Sequence, residues 1–305
     1  METEIAAINQ QSFKDKIKSY TKHPGSFLLL LLVLVAAVLT VGVLVFLVGY
    51  ILIRGIPYLK PSLFAWTYNS DNVSMLPAMI NTLFMTVLAL VLSVPFGVGA
   101  AIYLVEYAKK GNKLVGIIRV TAETLSGTSV HHYGLFGMLF FVTALKCGYS
   151  MMAGAATLAI MVRPVIMRTT EEALLCVPDS FREGSFGLGA GKLRTIFKIV
   201  LPSAIPGILS GIILAIGRIV GETAALIYTS GTVANLAGFF DSGRTLAIHM
   251  YSLSREGMHT NEAYATAVVL LIVVLIINGG ILPDRKKNLK RRNSRMEKKK
   301  WQEKI

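Results

Sequence analysis

The chain has 305 residues, 53% of them hydrophobic and only 16% charged, with a mean hydropathy of +0.60. A soluble domain carries nearer a quarter of charged residues, so this composition excludes one and indicates a polytopic membrane protein. The net charge of +14 would suit a nucleic-acid binder, but eleven Lys or Arg lie between Arg285 and Lys304 and most others flank apolar blocks. That distribution belongs to membrane topology rather than to a nucleic-acid surface.

The first apolar block, Phe27 to Ile53, exceeds the 7–15 residues or so of a signal-peptide core and ends in no small-residue cleavage site. It reads as a retained transmembrane helix. Further spans are expected at 76–105, 116–145, 149–167, 203–228 and 264–282, each near the ~20 apolar residues that cross a bilayer. The expected fold is therefore all-α with six transmembrane helices. The third span is the most interrupted, by Arg119, Glu123, His131 and His132.

The positive-inside rule sets the orientation. With the N-terminus in the cytoplasm, 24 of the 31 Lys and Arg fall in cytoplasmic segments. Arg54, Lys60, Lys146, Arg244 and Arg255 lie outside, and Arg163 and Arg218 lie within spans. Both termini are expected to be cytoplasmic, in the cytoplasmic membrane. The expected organisation is a cytoplasmic segment over 1–26, a first helix over 27–53, an extracytoplasmic loop over 54–75, a five-helix body over 76–282 and a basic tail over 283–305. The two cysteines, Cys147 and Cys176, fall on opposite sides and build neither a disulfide nor a metal site.

The cytoplasmic loop at about 168–202 reads RTTEEALLCVPDSFREGSFGLGAGKLRTIFKIVLP. Thr169 with Glu172, and Ser180 with Glu183, have capping-box spacing and predict two helix starts separated by Pro178. Gly187, Gly189 and Gly191 break the second helix, and a third, KLRTIFKIV, is expected to end at Leu201-Pro202. Such short helices make a compact knob suited to another protein's groove. GLGAGK is not a phosphate-binding loop: Phe186 stands where the first glycine is required, Leu193 where the hydroxyl is, and no apolar strand precedes it. No nucleotide cofactor is expected.

Glu183-Gly184-Ser185, three residues, Gly189, nine residues and Ile199-Val200-Leu201-Pro202 resemble the EAA loop of ABC-importer permeases, with Gly184 and Ser185 in place of two alanines. TTEEAL, VPDSFREGS, AIGRIVGETA, ETLSG and YGLFG resemble the PstA-type permeases of bacterial phosphate importers, over roughly residues 75–278. The resemblance implies a type I, MetI-like permease domain within 76–282. It implies phosphate as solute and no enzymatic activity in this subunit. The implied partners are a second, PstC-like permease subunit, a PstB-like ATPase dimer and a PstS-like extracytoplasmic binding protein. Arg182, Glu183, Gly184 and Gly189 would couple to the ATPase, Arg182 and Glu183 by ion pairing and Gly189 by permitting a tight turn.

Within the spans, Arg218 and Glu222 are four residues apart and are expected on one helix face. An ionisable residue at membrane depth normally faces a pore or a partner. Arg218 is the candidate pathway cation, its planar donors suiting phosphate oxygens, and Glu222 either holds it or weakens anion binding; the alternative is a structural ion pair. Arg168, at the inner end of the fourth span, is a second pathway candidate or an interfacial cation. Arg163 departs from the apolar residue usual in the resembled family.

Other readings are a permease for molybdate or sulfate, a membrane scaffold, and an intramembrane metalloenzyme using His131 and His132. The last needs a third ligand, HExxH is absent, and adjacent helical residues point about 100° apart. No catalytic or metal-binding residue is therefore expected. The resembled permeases commonly read SGIPSIIYGLFG where this chain reads SGTSVHHYGLFG. One inserted base and one compensating deletion convert Ile-Pro-Ser-Ile-Ile into Thr128-Ser129-Val130-His131-His132. Resequencing tests this hypothesis, since an uninterrupted frame encoding the histidines would refute a reading error.

Overall fold

The computed structural model describes residues 24–109, 111–277 and 279. The N-terminal lysines and the basic tail lie outside the described residues. The chain divides into two compact units, residues 1–54 and 55–305. Helix α1 (Pro24–Gly55), apart from its last residue, makes up the described part of the first. Its sequence is apolar on every face, as in a membrane span, and its interior hydroxyl, Thr40, donates back to the Ala36 carbonyl at 2.8 Å.

In the second unit, α2 (Leu76–Ile102) runs on through a π-turn (Tyr103–Tyr107), and α5 (Met151–Leu175) is the inner helix. Between them in sequence lie α3 (Lys113–Gly127) and α4 (Val130–Gly137), the latter extended by a π-turn (Met138–Ala144). After α5 come α6 (Asp179–Gly187), α7 (Lys192–Thr195), a π-turn (Ile196–Val200) and α8 (Leu201–Val220). The chain continues through α9 (Ala224–Ile227), α10 (Leu246–Glu256) and α11 (Thr260–Ile277).

Helix α5 packs against both α2 and α8. Its most apolar stretch is 67% buried against 28% for the corresponding stretches of α2 and the α7–α8 run, which makes it the centre of the core. Composition explains the position. The run Ala153-Gly154-Ala155-Ala156 lets neighbouring backbones approach closely, and Leu158, Met161, Val162 and Ile166 then fill the interior with Met85, Ala215 and Ile219. On α8, Gly207 and Gly211 recur at GxxxG spacing and meet Ala173 and Thr169 on α5. A Cβ on Gly207 would lie 2.5 Å from the Ala173 Cβ, and one on Gly211 would overlap the Thr169 hydroxyl.

The loop over 229–245 is tied to this core by side chains of α2. Buried Asn81 donates to the Asn235 and Arg244 carbonyls and accepts from Ala237 N–H, while the Thr82 hydroxyl accepts from Leu246 N–H. The loop in turn supplies the carbonyls of Asp241 and Phe239 to the first N–H groups of α5, at Met151 and Met152.

Three expectations are corrected, and the count of six spans is met only in part. Among the described residues five helices are long and apolar enough to cross a membrane, and the expected third span is not one of them. Thr128 and Ser129 are extended, so α3 and α4 are separate, and the 15 residues of Val130–Ala144 reach only about 22 Å. Helix α5 does not stop near 167, and no helix starts at Thr169. Burial of Thr170, Glu171 and Leu174 carries α5 on to Leu175, and the Thr169 hydroxyl back-bonds to Val165 instead of capping. Ser180 caps nothing, because α6 begins one residue earlier, behind Pro178. Pro202 does not end the third loop helix. It sits at the start of α8, and the π-turn before it joins α7 and α8 into one 29-residue run.

Candidate functional site

The segment with EAA-like spacing is built by the end of α5, α6 and α7. Helix α6 ends at Gly187, and Gly189 takes φ +79° in the turn that follows, where its N–H reaches the Phe186 carbonyl and Ala190 N–H reaches the Ser185 carbonyl. Glu183 and Gly184 are exposed on α6, and Gly184 faces open space. Ser185 points inward and is buried, its hydroxyl 2.8 Å from that of Thr195. Serine therefore fits this inward position because α7 brings a hydroxyl to meet it.

Arg182 was expected to help seat the segment on the ATPase by ion pairing, and the structure turns it inward to a carboxylate of its own chain. Its Nε and Nη2 donate to Glu106 Oε1 at 3.1 and 2.8 Å, Nη1 donates to the Val177 carbonyl and to Asp179, and Nη2 donates to the Leu174 carbonyl. The side chains of Arg182 and Glu106 are 15% and 9% exposed, so this is a nearly dry, multiply hydrogen-bonded pair. One guanidinium thus joins three elements: α6, the carbonyls at the end of α5 and the π-turn ending α2. Exposed Glu183 remains the charged residue of the motif free to meet a partner.

Arg218 and Glu222 are not on one helix. Gly221 ends α8, and Glu222 folds over the break with its Oε1 accepting from Ala225 N–H at 3.1 Å. Glu222 is buried and caps α9 within the interrupted span, so it forms no ion pair with Arg218. Arg218, in the last turn of α8, is half-buried, has no ion pair or hydrogen bond to any described residue, and acts electrostatically on Tyr133 of α4. Helix α4, which carries Tyr133, packs against α9, the short helix that follows the break after Arg218.

Arg168 is engaged by carboxylates, Glu172 at 3.3 Å and Glu123 at 3.4 Å. Alongside, Arg119 pairs with Glu171 at 2.5 Å. Sequence reading noted Arg119 and Glu123 only as interruptions of a span. Their i, i+4 spacing on α3, matched by Arg168 and Glu172 on α5, was the available signal. Glu106 carried none, since its partner lies 76 residues away.

Arg163 lies over the Phe96 ring at 5.1 Å, which accommodates the cation beside Pro164. In the 229–263 loop, Arg244 lies over the Tyr68 ring at 4.4 Å, and Tyr68 meets His249 edge-on. Burial first, and then the Arg244 guanidinium, push His249 down to about 3, against an opposing Val73 backbone contact. His131 and His132 are exposed, and among the described residues no three His, Cys, Asp or Glu side chains are placed to hold a metal ion.

Residues 73–284 match the family described as "Binding-protein-dependent transport system inner membrane component". The chain is 33% identical over 239 residues to the probable ABC transporter permease protein YqgI of Bacillus subtilis, covering 73% of this chain and 81% of that one. It is 40% identical over 154 residues to the phosphate transport system permease protein PstA 1 of Mycobacterium tuberculosis, covering 50% of each. It is 42% identical over 142 residues to PstA of Yersinia pestis, covering 47% and 48%. The alignments to these two phosphate permeases thus span about half of their length. Among solved structures, a bacterial ABC transporter involved in the import of alginate aligns with a TM-score of 0.60 at 15% identity, over 87% of this chain and 99% of that one. Inward-facing MetNI, a methionine ABC transporter, aligns with 0.53 at 20% identity, over 69% and 91%.

Proposed function

The chain belongs to the family of binding-protein-dependent transport system inner membrane components, and on that premise we propose that it is the permease subunit of an ATP-driven importer of inorganic phosphate. The solute follows from the identity to PstA permeases, and the drive from the coupling segment. As an ABC permease it is a multi-pass membrane protein that works with an ATPase and a solute-binding protein and performs no covalent chemistry itself. The proposed partners are a PstB-like ATPase dimer, a PstC-like second permease and a PstS-like binding protein. Both termini are proposed to be cytoplasmic, by the distribution of Lys and Arg. The proposed permease domain is 76–282.

The Arg182–Glu106 tie is the observation that carries the mechanism. Glu183 and Gly184 present an exposed edge to the ATPase, and Gly189 holds the turn behind it. When ATP closes the ATPase dimer, force on α6 passes through Arg182 into α2 and α5 together, because one guanidinium holds both. In the solute path, Arg218 offers an anion donors not already spent on a protein partner, and Glu222 keeps the α8–α9 break in shape. Arg168 joins the path when it exchanges its carboxylates for the passing anion.

Labelled phosphate uptake in cells that depend on this permease tests the reading. Unlabelled phosphate is expected to compete, and a hundredfold excess of sulfate or molybdate is not. Competition by either at the potency of phosphate would assign the permease to that oxyanion instead.

A further inference from the structure

Helix α3 stands apart from the other helices of its length in the second unit. None of its 15 residues is buried, and only Val115 and Ala122 touch the inner core cluster. Its attachment to α5 is mainly ionic and is reciprocal. Arg119 of α3 pairs with Glu171 of α5 at 2.5 Å, and Glu123 of α3, one turn on, pairs with Arg168 of α5 at 3.4 Å. Each helix thus contributes one cation and one anion. Between them is a cavity of about 280 Å³ lined by Arg119, Glu123, Arg168, Glu171, Glu172 and Pro164, among others.

We propose that Arg119, Glu123, Arg168 and Glu171 form a reciprocal latch that positions α3 against α5 at the inner mouth of the path and opens and re-forms in each transport cycle. The inference rests on the permease reading above, which places this end of α5 at the cytoplasmic side, one short turn before the coupling helix.

Three features fit a latch better than a fixed strut. First, the Glu123 and Arg168 side chains are 71% and 58% exposed, and an exposed pair of this kind is weak enough to exchange with water on each cycle, while Arg119, 50% exposed, is the open side of its pair with the buried Glu171. Second, an element with little apolar burial moves at small cost, and α3 ends at the extended Thr128–Ser129 joint, a place for it to swing. Third, the closed cluster has two guanidiniums and three carboxylates when Glu172 is included, so its net charge is negative and it does not retain an anion. Closure therefore bars return of a released anion, and opening exposes two guanidiniums to one in transit. Arg119, Glu123 and Glu171 are positioning residues, acting through the placement of α3, and Arg168 adds this role to its proposed place in the path.

The test measures the α3–α5 distance in the assembled complex in membranes. Spin labels are placed at Val120→Cys and Leu175→Cys, with Cys147 and Cys176 replaced by alanine. The starting protein is expected to give a single short distance without nucleotide and a longer population when ATP is trapped. Arg119→Glu or Glu171→Arg alone should shift at least about fivefold more of the population to the longer distance, and the two together should restore the short one. Glu123→Arg with Arg168→Glu forms the second swap and depends on no buried residue. If the single reversals leave the distances unchanged, or if both double swaps behave as the sum of their single changes, the latch is overturned. No phosphate is used, so the outcome does not depend on whether phosphate is the solute. A phosphate reading that fails with the latch intact shows as both distances in the unaltered complex, and restored distances in the Arg119→Glu, Glu171→Arg swap, without phosphate uptake in the unaltered complex.

Discussion

Arg182→Ala is expected to leave the transporter assembled while cutting ATP-driven uptake by at least about tenfold. The arginine is nearly buried and holds Glu106, the Val177 and Leu174 carbonyls and Asp179 at once. Its removal strands a carboxylate that is 9% exposed. Breaking such a pair costs about 3–5 kcal/mol, and the partial exposure of Arg182 places it toward the lower figure. Glu183 and Gly184, on the outer side of α6, are untouched, so the proposed docking edge should still hold the ATPase while its movement no longer reaches α2. Arg182→Lys discriminates further: an ammonium keeps the charge but does not span Glu106 and two carbonyls in one plane, so it should rescue little. Glu106→Gln should reproduce much of the Arg182 defect. Solute-stimulated ATP hydrolysis and uptake, measured on the same preparation, check the prediction. Normal uptake by Arg182→Ala would remove this strut from the mechanism.

The second large effect is expected at Arg218. Arg218→Gln should abolish measurable uptake, and co-purification with the ATPase should be unchanged, because Arg218 supports no described hydrogen bond or ion pair whose loss would disturb the fold. An unpaired guanidinium at membrane depth is costly by a few kcal/mol unless an anion or water meets it, and its removal is more a functional than a structural loss. The neighbouring glutamate should respond differently. Glu222 acts through Oε1 as a cap for Ala225, so Glu222→Gln retains the acceptor and much of the activity, whereas Glu222→Ala opens the break at α9 and loses both activity and thermal stability. Equal damage from Glu222→Gln and Glu222→Ala would show that the charge matters rather than the cap.

The long elements were legible where a single physical term decides them. The uninterrupted apolar runs beginning at Phe27 and Leu76 specify spans whatever surrounds them. The EAA spacing located the knob, and Gly189 marked its turn, because a left-handed φ selects glycine from local sterics alone. The errors fall where tertiary packing overrides a local pattern. Thr169 and Glu172 satisfy a capping-box template, yet burial of Leu174 makes continuation of α5 more favourable than a new start. Arg218 and Glu222 satisfy i, i+4 spacing, yet the spacing has meaning only on a continuous helix, and Gly221 stops it. The Arg182–Glu106 tie joins residues 76 positions apart, and the Glu123–Arg168 and Arg119–Glu171 pairs join residues 45 and 52 apart, farther than a rule for neighbours on one helix reaches. The histidine pair drew notice as an oddity of sequence. In the fold it lies exposed at the start of α4, beside the joint with α3, while Tyr133, the next residue, is buried and donates to the Leu125 carbonyl at 2.6 Å.

The most direct test of the central claim is accumulation in sealed vesicles. The chain, co-reconstituted with its ATPase and the proposed second permease, would be supplied with a phosphate-loaded binding protein on one face and ATP on the other. The account predicts concentrative, ATP-dependent phosphate accumulation that falls to background in Arg182→Ala and Arg218→Gln vesicles. Full accumulation in either variant, or none in the unaltered complex while ATP hydrolysis proceeds, would contradict it.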